Sequence, residues 1–221
     1  MIGIGFRNLL SASHQTPQGW YLCDDEETEI LLPNKEVPLT LTHGDQLEVF
    51  CYLDHDERPI VSLKMPLIER DKVAVLKVAE TSDYGYFLDW GLEKQLFLPF
   101  KESSVKHSEG DEVLVVCILD PLSGRLMASE RIEKHHKPIL DTAEDSVAYN
   151  AYVYRETPLG YEVFTESGYK GLLFRNRITA SLKKNHRLIV FIEQLRPDGK
   201  IDFALQPKGE DKLNRAMSMV V

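Results

Sequence analysis

Between residues 161 and 187 the chain interleaves aromatic rings with cations. Tyr161, Phe164 and Tyr169 lead into Lys170, Arg175, Arg177, Lys183, Lys184 and Arg187. A ring offers a nucleobase a surface to stack on, and a nearby cation meets the phosphate. This is the composition of a nucleic-acid face. The alternative is a solvated loop rich in charge. Upstream, Tyr84, Tyr86 and Phe87 crowd into four residues, and strand alternation would spread them over both faces of a sheet. Near the N-terminus Trp20 and Tyr21 are strong stackers. The adjacent Asp24, Asp25, Glu26 and Glu27 would repel phosphate, so that stretch reads as structural or protein-docking.

Catalytic groupings do not stand out. No G-x-x-x-x-G-K-[ST] occurs, and the opening Gly3-Ile4-Gly5 lacks a third Gly and a preceding strand. No G-x-S-x-G or H-E-x-x-H occurs. His135 and His136 are adjacent in the charged segment ERIEKHHKPILDTAEDS, a spacing that suits solvent better than a metal. Cys23, Cys51 and Cys117 are odd in number and widely spaced, which favours buried thiols over a disulfide framework or a zinc site. The expectation is a protein without enzyme activity, cofactor or metal.

The elements that must position these residues announce themselves as a repeat. The first copy reads PQGWYL, EILLPNKE, HGDQLEVFCYLD. The second reads DYGYFLDWG, KQLFLPFKE, EGDEVLVVCILD. The third reads PLGYEVFTESGYKGLLFRN, KKNHRLIVFIEQL. In each, 14 residues separate a Gly (Gly19, Gly85, Gly160) from the end of an apolar run (Pro33, Pro99, Phe174). In each, 25 residues separate that Gly from a turn residue (Gly44, Gly110, Asn185), Asn being the residue best able to replace Gly in a left-handed turn. Cys51 and Cys117 fall seven residues after their turn Gly, where the third copy has Ile192.

Within each copy the local signal is β. VAVLKV, YGYFLDW, QLFLPF, VLVVCIL and RLMAS are short, rich in β-branched and aromatic residues, and bounded by turn residues. Five such strands in about 65 residues predict a small closed barrel. The expected fold class is all-β, three tandem five-stranded barrels with short helical linkers. The expected domains are 1–66 (divergent), 67–134 (most typical) and 146–207 (basic), with a tail over 208–221.

Net charge is −9, which argues against coating duplex DNA by charge alone. The charge is graded: residues 1–66 carry 4 basic and 11 acidic side chains, residues 67–136 carry 9 and 13, and residues 149–207 carry 9 and 6. A polyanion held by charge would prefer the last third. No signal peptide is recognisable, and the apolar stretch around Leu9-Leu10 is too short to span a membrane, so the expected location is the cytoplasm.

The second copy resembles an S1 RNA-binding domain, a variant of the oligonucleotide/oligosaccharide-binding (OB) barrel. The likeness rests on Val75-x-x-Val78, Tyr84-Gly85-x-Phe87, Gly110-Asp111-x-Val113, and Asp120, Arg125 and Ser129 around the last hairpin. All three copies together resemble the conserved virulence factor B family, bacterial proteins with tandem S1 domains followed by a winged helix. The Pro of Leu32-Pro33 and Leu98-Pro99 is characteristic of that likeness. The 14 residues after the third copy leave no room for a winged helix, which leaves truncation or a short relative open. Gln18 in the first copy, and Leu159 and Glu162 in the third, replace expected aromatics.

The resemblance implies that Tyr84, Phe87, Asp120 and Arg125 face the ligand in the second copy. On the residues alone, Tyr84 and Phe87 could instead pack the barrel, Arg125 could cap a hairpin, and Asp120 could open a turn. The resulting site expectation is Tyr84, Phe87, Asp120 and Arg125, with Tyr161, Phe164, Tyr169, Lys170, Arg175, Lys183 and Lys184. The partner expected is single-stranded RNA, with the ribosome or another protein as further partners, and no membrane. The resemblance implies a role in regulating gene expression or translation. The competing reading is a protein-docking scaffold; DNA binding through an absent winged helix is a third.

Overall fold

The computed structural model describes residues 1–135, 147–178 and 181–207. The expected tail, His136 and positions 136–146 of the linker lie outside the described residues. The rest forms three closed five-stranded barrels, successive along the chain. The first is built from β1 (Arg7–Thr16), β2 (Gly19–Cys23), β3 (Glu29–Pro33), β4 (Gln46–Leu53) and β5 (Pro59–Ser62). The second uses β6 (Val73–Thr81), β7 (Gly85–Asp89), β8 (Leu96–Pro99), β9 (Glu112–Leu119) and β10 (Leu126–Ser129). The third uses β11 (Ala148–Thr157), β12 (Gly160–Thr165), β13 (Lys170–Phe174), β14 (Arg187–Leu195) and β15 (Ile201–Ala204). A one-turn helix, α1 (Ile132–His135), follows the second barrel, whereas the 63–72 link between the first two has no helix.

The repeated spacings are backbone constraints. The 14-residue interval joins direct register partners: Gly19 opposite Pro33, Gly85 opposite Pro99, and Gly160 opposite Phe174. A Cβ on those glycines would lie 2.0, 2.3 and 2.2 Å from the carbonyl oxygens of Leu32, Leu98 and Leu173, so any larger residue would collide with backbone. A 3-10 turn follows strand three in every copy, over Asn34–Glu36, Phe100–Glu102 and Arg175–Arg177. Pro33 and Pro99 fit the step into that turn because their φ is already set and they lack an N–H to extend the ladder.

The 25-residue interval brings a left-handed turn onto a bulge. Strand one of each barrel shifts register at Ala12/His14, Val78/Glu80 and Val153/Arg155. Such a bulge bends a long strand so that it can serve both sides of a barrel. The N–H groups of Gly44, Gly110 and Asn185 donate to the carbonyls of Ala12, Val78 and Val153, each at 2.8 Å. The three turn residues have φ of 88°, 91° and 66°, which explains Asn as the substitute for Gly.

Each barrel is filled by its own apolar residues. Leu22, Leu32, Val49 and Val61 centre the first, and Leu88, Leu98, Val115 and Ala128 occupy the second. Val163, Leu173, Val190 and Phe203 centre the third. Cys51 and Cys117 are buried in these interiors, and burial pushes the Cys51 thiol up to about 12, so it stays protonated and inert. Buried Ser129 donates to Glu102 at 2.7 Å, and Ser62 does the same to Glu36 at 2.6 Å.

By compactness the chain divides into two units. One holds residues 1–70, 76–111 and 117–129, hence the first barrel and most of the second. The other holds 71–75, 112–116 and the described residues from 130 onward. Inside the first unit, the Trp90 ring meets Phe50 and Tyr52 edge-on at 5.7 and 6.4 Å. Leu67 N–H donates to the Trp90 carbonyl at 2.7 Å. Phe50 and Trp90 are almost fully buried, so this contact is core-like rather than a loose tether.

Candidate nucleic-acid interface

Alternation along β7 and β8 decides which rings face out. Tyr86, Leu88, Leu96 and Leu98 point into the barrel and are buried. Phe87 and Phe97 lie between them and point out, half-buried. They are register partners, with ring centroids 5.2 Å apart and planes tilted by 45°. Met127 on β10 pairs with Phe97, so Phe87, Phe97 and Met127 form one row across three strands. Tyr84, one residue before β7, is 79% exposed at the end of that row. A cleft of about 950 Å³ lies over the row, lined also by Lys101 and Arg125, and on the side of the first barrel by Tyr52, Leu53 and His55.

Arg125 stands on this cleft, half-exposed and ion-paired with Glu57. Asp120 also lines it, but its carboxylate is engaged by its own turn. It accepts from Ser123 Oγ at 2.6 Å and Leu122 N–H at 3.4 Å, and the Ser123 hydroxyl chiefly holds it below the usual carboxylate range. Asp54 builds the matching turn of the first barrel, accepting the Asp56 and Arg58 N–H groups at 2.9 Å.

The third barrel corrects the expectation for two of its rings. Tyr161 is 3% exposed and Phe164 is 0% exposed, so neither offers a face to a base. The reason for Tyr161 is register: the residue after the repeat Gly points inward, as Tyr86 does in the second barrel. Both hydroxyls then accept a backbone N–H, from Leu182 at 3.2 Å and from His107 at 3.0 Å. Phe164 is packed edge-on against Tyr154 at 5.2 Å, and Tyr169 rests half-buried against the core.

The outward row of the third barrel is Glu162, Leu172 and Asp202, in the register places of Phe87, Phe97 and Met127. Its cations are tied to carboxylates. Lys170 meets Glu133 at 2.6 Å and Glu162 at 3.2 Å, Arg155 meets Glu162 at 2.6 Å, and Arg196 meets Asp202 at 2.8 Å. Arg175 pairs with Glu156 at 2.6 Å, and Arg187 with Glu166 at 3.1 Å. Lys183 and Lys184 are exposed on the turn before β14 and do not line the cleft of about 830 Å³ over this row. The structure thus brings Tyr84, Phe87, Asp120 and Arg125 to one cleft and does not assemble the third-barrel residues into a comparable one.

Phe97, Met127 and Lys101 are cleft residues that sequence reasoning passed over. The signal for Phe97 was present, because it alternates with buried Leu96 and Leu98 in QLFLPF. Among the described residues no group of His, Cys, Asp and Glu is arranged to hold a metal ion, and no helix is long and apolar enough to cross a membrane.

A model of the S1 domain matches residues 4–64 and 72–129, which are the first two barrels. YitL of Bacillus subtilis is 29% identical over 221 residues, covering 95% of this chain and 72% of YitL. Conserved virulence factor B of Staphylococcus aureus is 24% identical over 198 residues, covering 86% of this chain. The matched region spans 62% of the staphylococcal protein's length. A solved multidomain protein with nucleic acid binding domains from Streptococcus pneumoniae is 18% identical, with 97% of this chain and 81% of that one covered and a TM-score of 0.49. Matched over more than half its length by the S1 model, the chain belongs to the S1 domain family and is a relative of the conserved virulence factor B proteins.

Proposed function

We propose that this protein binds single-stranded RNA without catalysing a reaction, and that the second barrel carries the principal site. The observation that supports this most is the outward row Phe87–Phe97–Met127 with Tyr84 at its end, beside Lys101 and Arg125. Exposed rings stack successive bases and the cations meet phosphate, the usual way such barrels hold a single strand. Asp120 orders the hairpin that presents Arg125. In the third barrel, Lys183 and Lys184 are a secondary phosphate contact, while Lys170 and Arg175 contribute only by exchanging their carboxylate partners. Kinship with the conserved virulence factor B proteins supports a role in regulating gene expression or translation, and the proposed setting is the cytoplasm, at the ribosome or on messenger RNA.

The test is fluorescence anisotropy of a labelled, unstructured RNA of about 15 nucleotides, a length matched to such sites, against DNA of the same sequence. The protein is measured as wild type, as Tyr84→Ala/Phe87→Ala, and as Lys183→Ala/Lys184→Ala. Saturable RNA binding, lost largely in the first variant and slightly in the second, is the expected result. Absence of binding at low salt would move the assignment to a protein-docking scaffold.

A further inference from the structure

One cation of the proposed site, Arg125, is held by a carboxylate from a different barrel. Arg125 forms its ion pair with Glu57, which sits on the β4–β5 hairpin of the first barrel, in the same compact unit. The strands and turn of that hairpin also contribute Tyr52, Leu53 and His55 to the cleft. The turn is held by Asp54, whose carboxylate takes the Asp56 and Arg58 N–H groups and the Arg58 guanidinium at 2.7 and 2.9 Å. Arg58 is therefore occupied by Asp54 and by Asp56 at 2.9 Å, and Glu57 reaches across to Arg125 instead.

Glu57 is also out of place in the backbone. Its φ is 65°, in the left-handed region. The equivalent turn position, just before the cation of the last hairpin, is Gly124 with φ of 69° in the second barrel and Gly199 with φ of 80° in the third. Two repeats use the residue that tolerates this geometry, and the first repeat places a glutamate there. Strained positions of this kind concentrate where a side chain has a task.

Resting on the RNA reading above, we propose that Glu57 sets the affinity and selectivity of the second-barrel site, by holding Arg125 until a phosphodiester of the bound strand displaces it. The side chains of the pair are 53% and 52% exposed, so exchange is cheap. A nucleoside or an apolar ligand cannot displace the carboxylate, while a strand whose phosphate lands at Arg125 can. The first barrel thereby serves the neighbouring site through its hairpin, although its own outward row carries only Tyr21 as a ring.

The experiment uses the full chain and the same labelled 15-nucleotide RNA at low salt. Wild type, Glu57→Gln, Glu57→Gly, Arg125→Ala, Phe87→Ala and the Glu57→Gln/Arg125→Ala double variant are compared. Removing the competitor should tighten binding by about two- to fivefold, the range of an exposed ion pair. Glu57→Gly should do so as well while relaxing the backbone, which guards against a folding artefact. The gain should vanish in the Arg125→Ala background. An unchanged affinity in both Glu57 variants, or an equal gain with and without Arg125, overturns the proposal while binding that still depends on Phe87 leaves the RNA reading intact. No RNA binding by wild type removes both.

Discussion

The rings of Phe87 and Phe97 meet across β7 and β8 with centroids 5.2 Å apart, as register partners on the outer face of the second barrel. The same two places hold Tyr21 and Leu31 in the first barrel and Glu162 and Leu172 in the third. One backbone device therefore carries three chemistries. Tyr21 is covered by His14, stacked at 5.0 Å and 9°, and Glu162 is neutralised by Arg155 and Lys170. Specialisation among the repeats lies in the outward residues, while the inward ones keep the barrel.

Tyr84 is the cleanest probe of stacking, because it is 79% exposed and contributes little to the fold. Tyr84→Ala should weaken RNA binding by about 5- to 150-fold, the effect of one stacked base. Its melting temperature should stay near wild type, as for most surface substitutions. Calorimetry alongside the anisotropy titration separates the two; a large drop in melting temperature would assign Tyr84 to packing.

Salt dependence should be shallow. Lys101 and Arg125 line the cleft beside the aromatic row, whereas Lys94, also on it, donates to the Asp54 carbonyl at 2.7 Å. Two phosphate contacts on a single strand give a slope of log K against log salt of about −1.4. A slope steeper than about −4 would mean that charge rather than stacking carries binding.

Tyr161→Phe should leave RNA affinity unchanged and cost about 1 kcal/mol of stability, the worth of its hydrogen bond from the Leu182 N–H. Urea unfolding measures the second and anisotropy the first. A loss of affinity with unchanged stability would return Tyr161 to the ligand face.

The spacings of 14 and 25 residues were legible as sequence because each is a backbone requirement: Gly19 opposite Pro33, and Gly44 on the bulge at Ala12. Phe87 was legible only through the resemblance to S1 domains, since the residues alone left it open whether the ring packs the barrel or faces out. Tyr161 and Phe164 lay beyond reach because composition does not distinguish inward from outward rings, and Tyr161 falls one residue after Gly160, where side chains enter the core. The ion pairs were beyond reach of local pattern. Lys170 finds Glu133 37 residues away, and Arg125 finds Glu57 across two barrels. A basic stretch in sequence became a largely self-neutralised surface in space.

Gly85→Ala tests the register constraint. The added Cβ would lie 2.3 Å from the Leu98 carbonyl oxygen, with the Phe97 ring 2.9 Å away. The expected loss is about 2–4 kcal/mol, in the range of the large single-site effects that come from strain or overpacking. Chemical denaturation should show it, and a loss below about 0.5 kcal/mol would mean that β7 and β8 can part without cost.

The most direct test of the central claim is an NMR titration of protein carrying labelled phenylalanine and tyrosine rings with the unstructured RNA. The ring signals of Tyr84, Phe87 and Phe97 are expected to shift together and saturate, while those of Tyr161 and Phe164 stay in place. Saturating shifts confined to the third-barrel rings, with Phe87 and Phe97 unmoved, would contradict it.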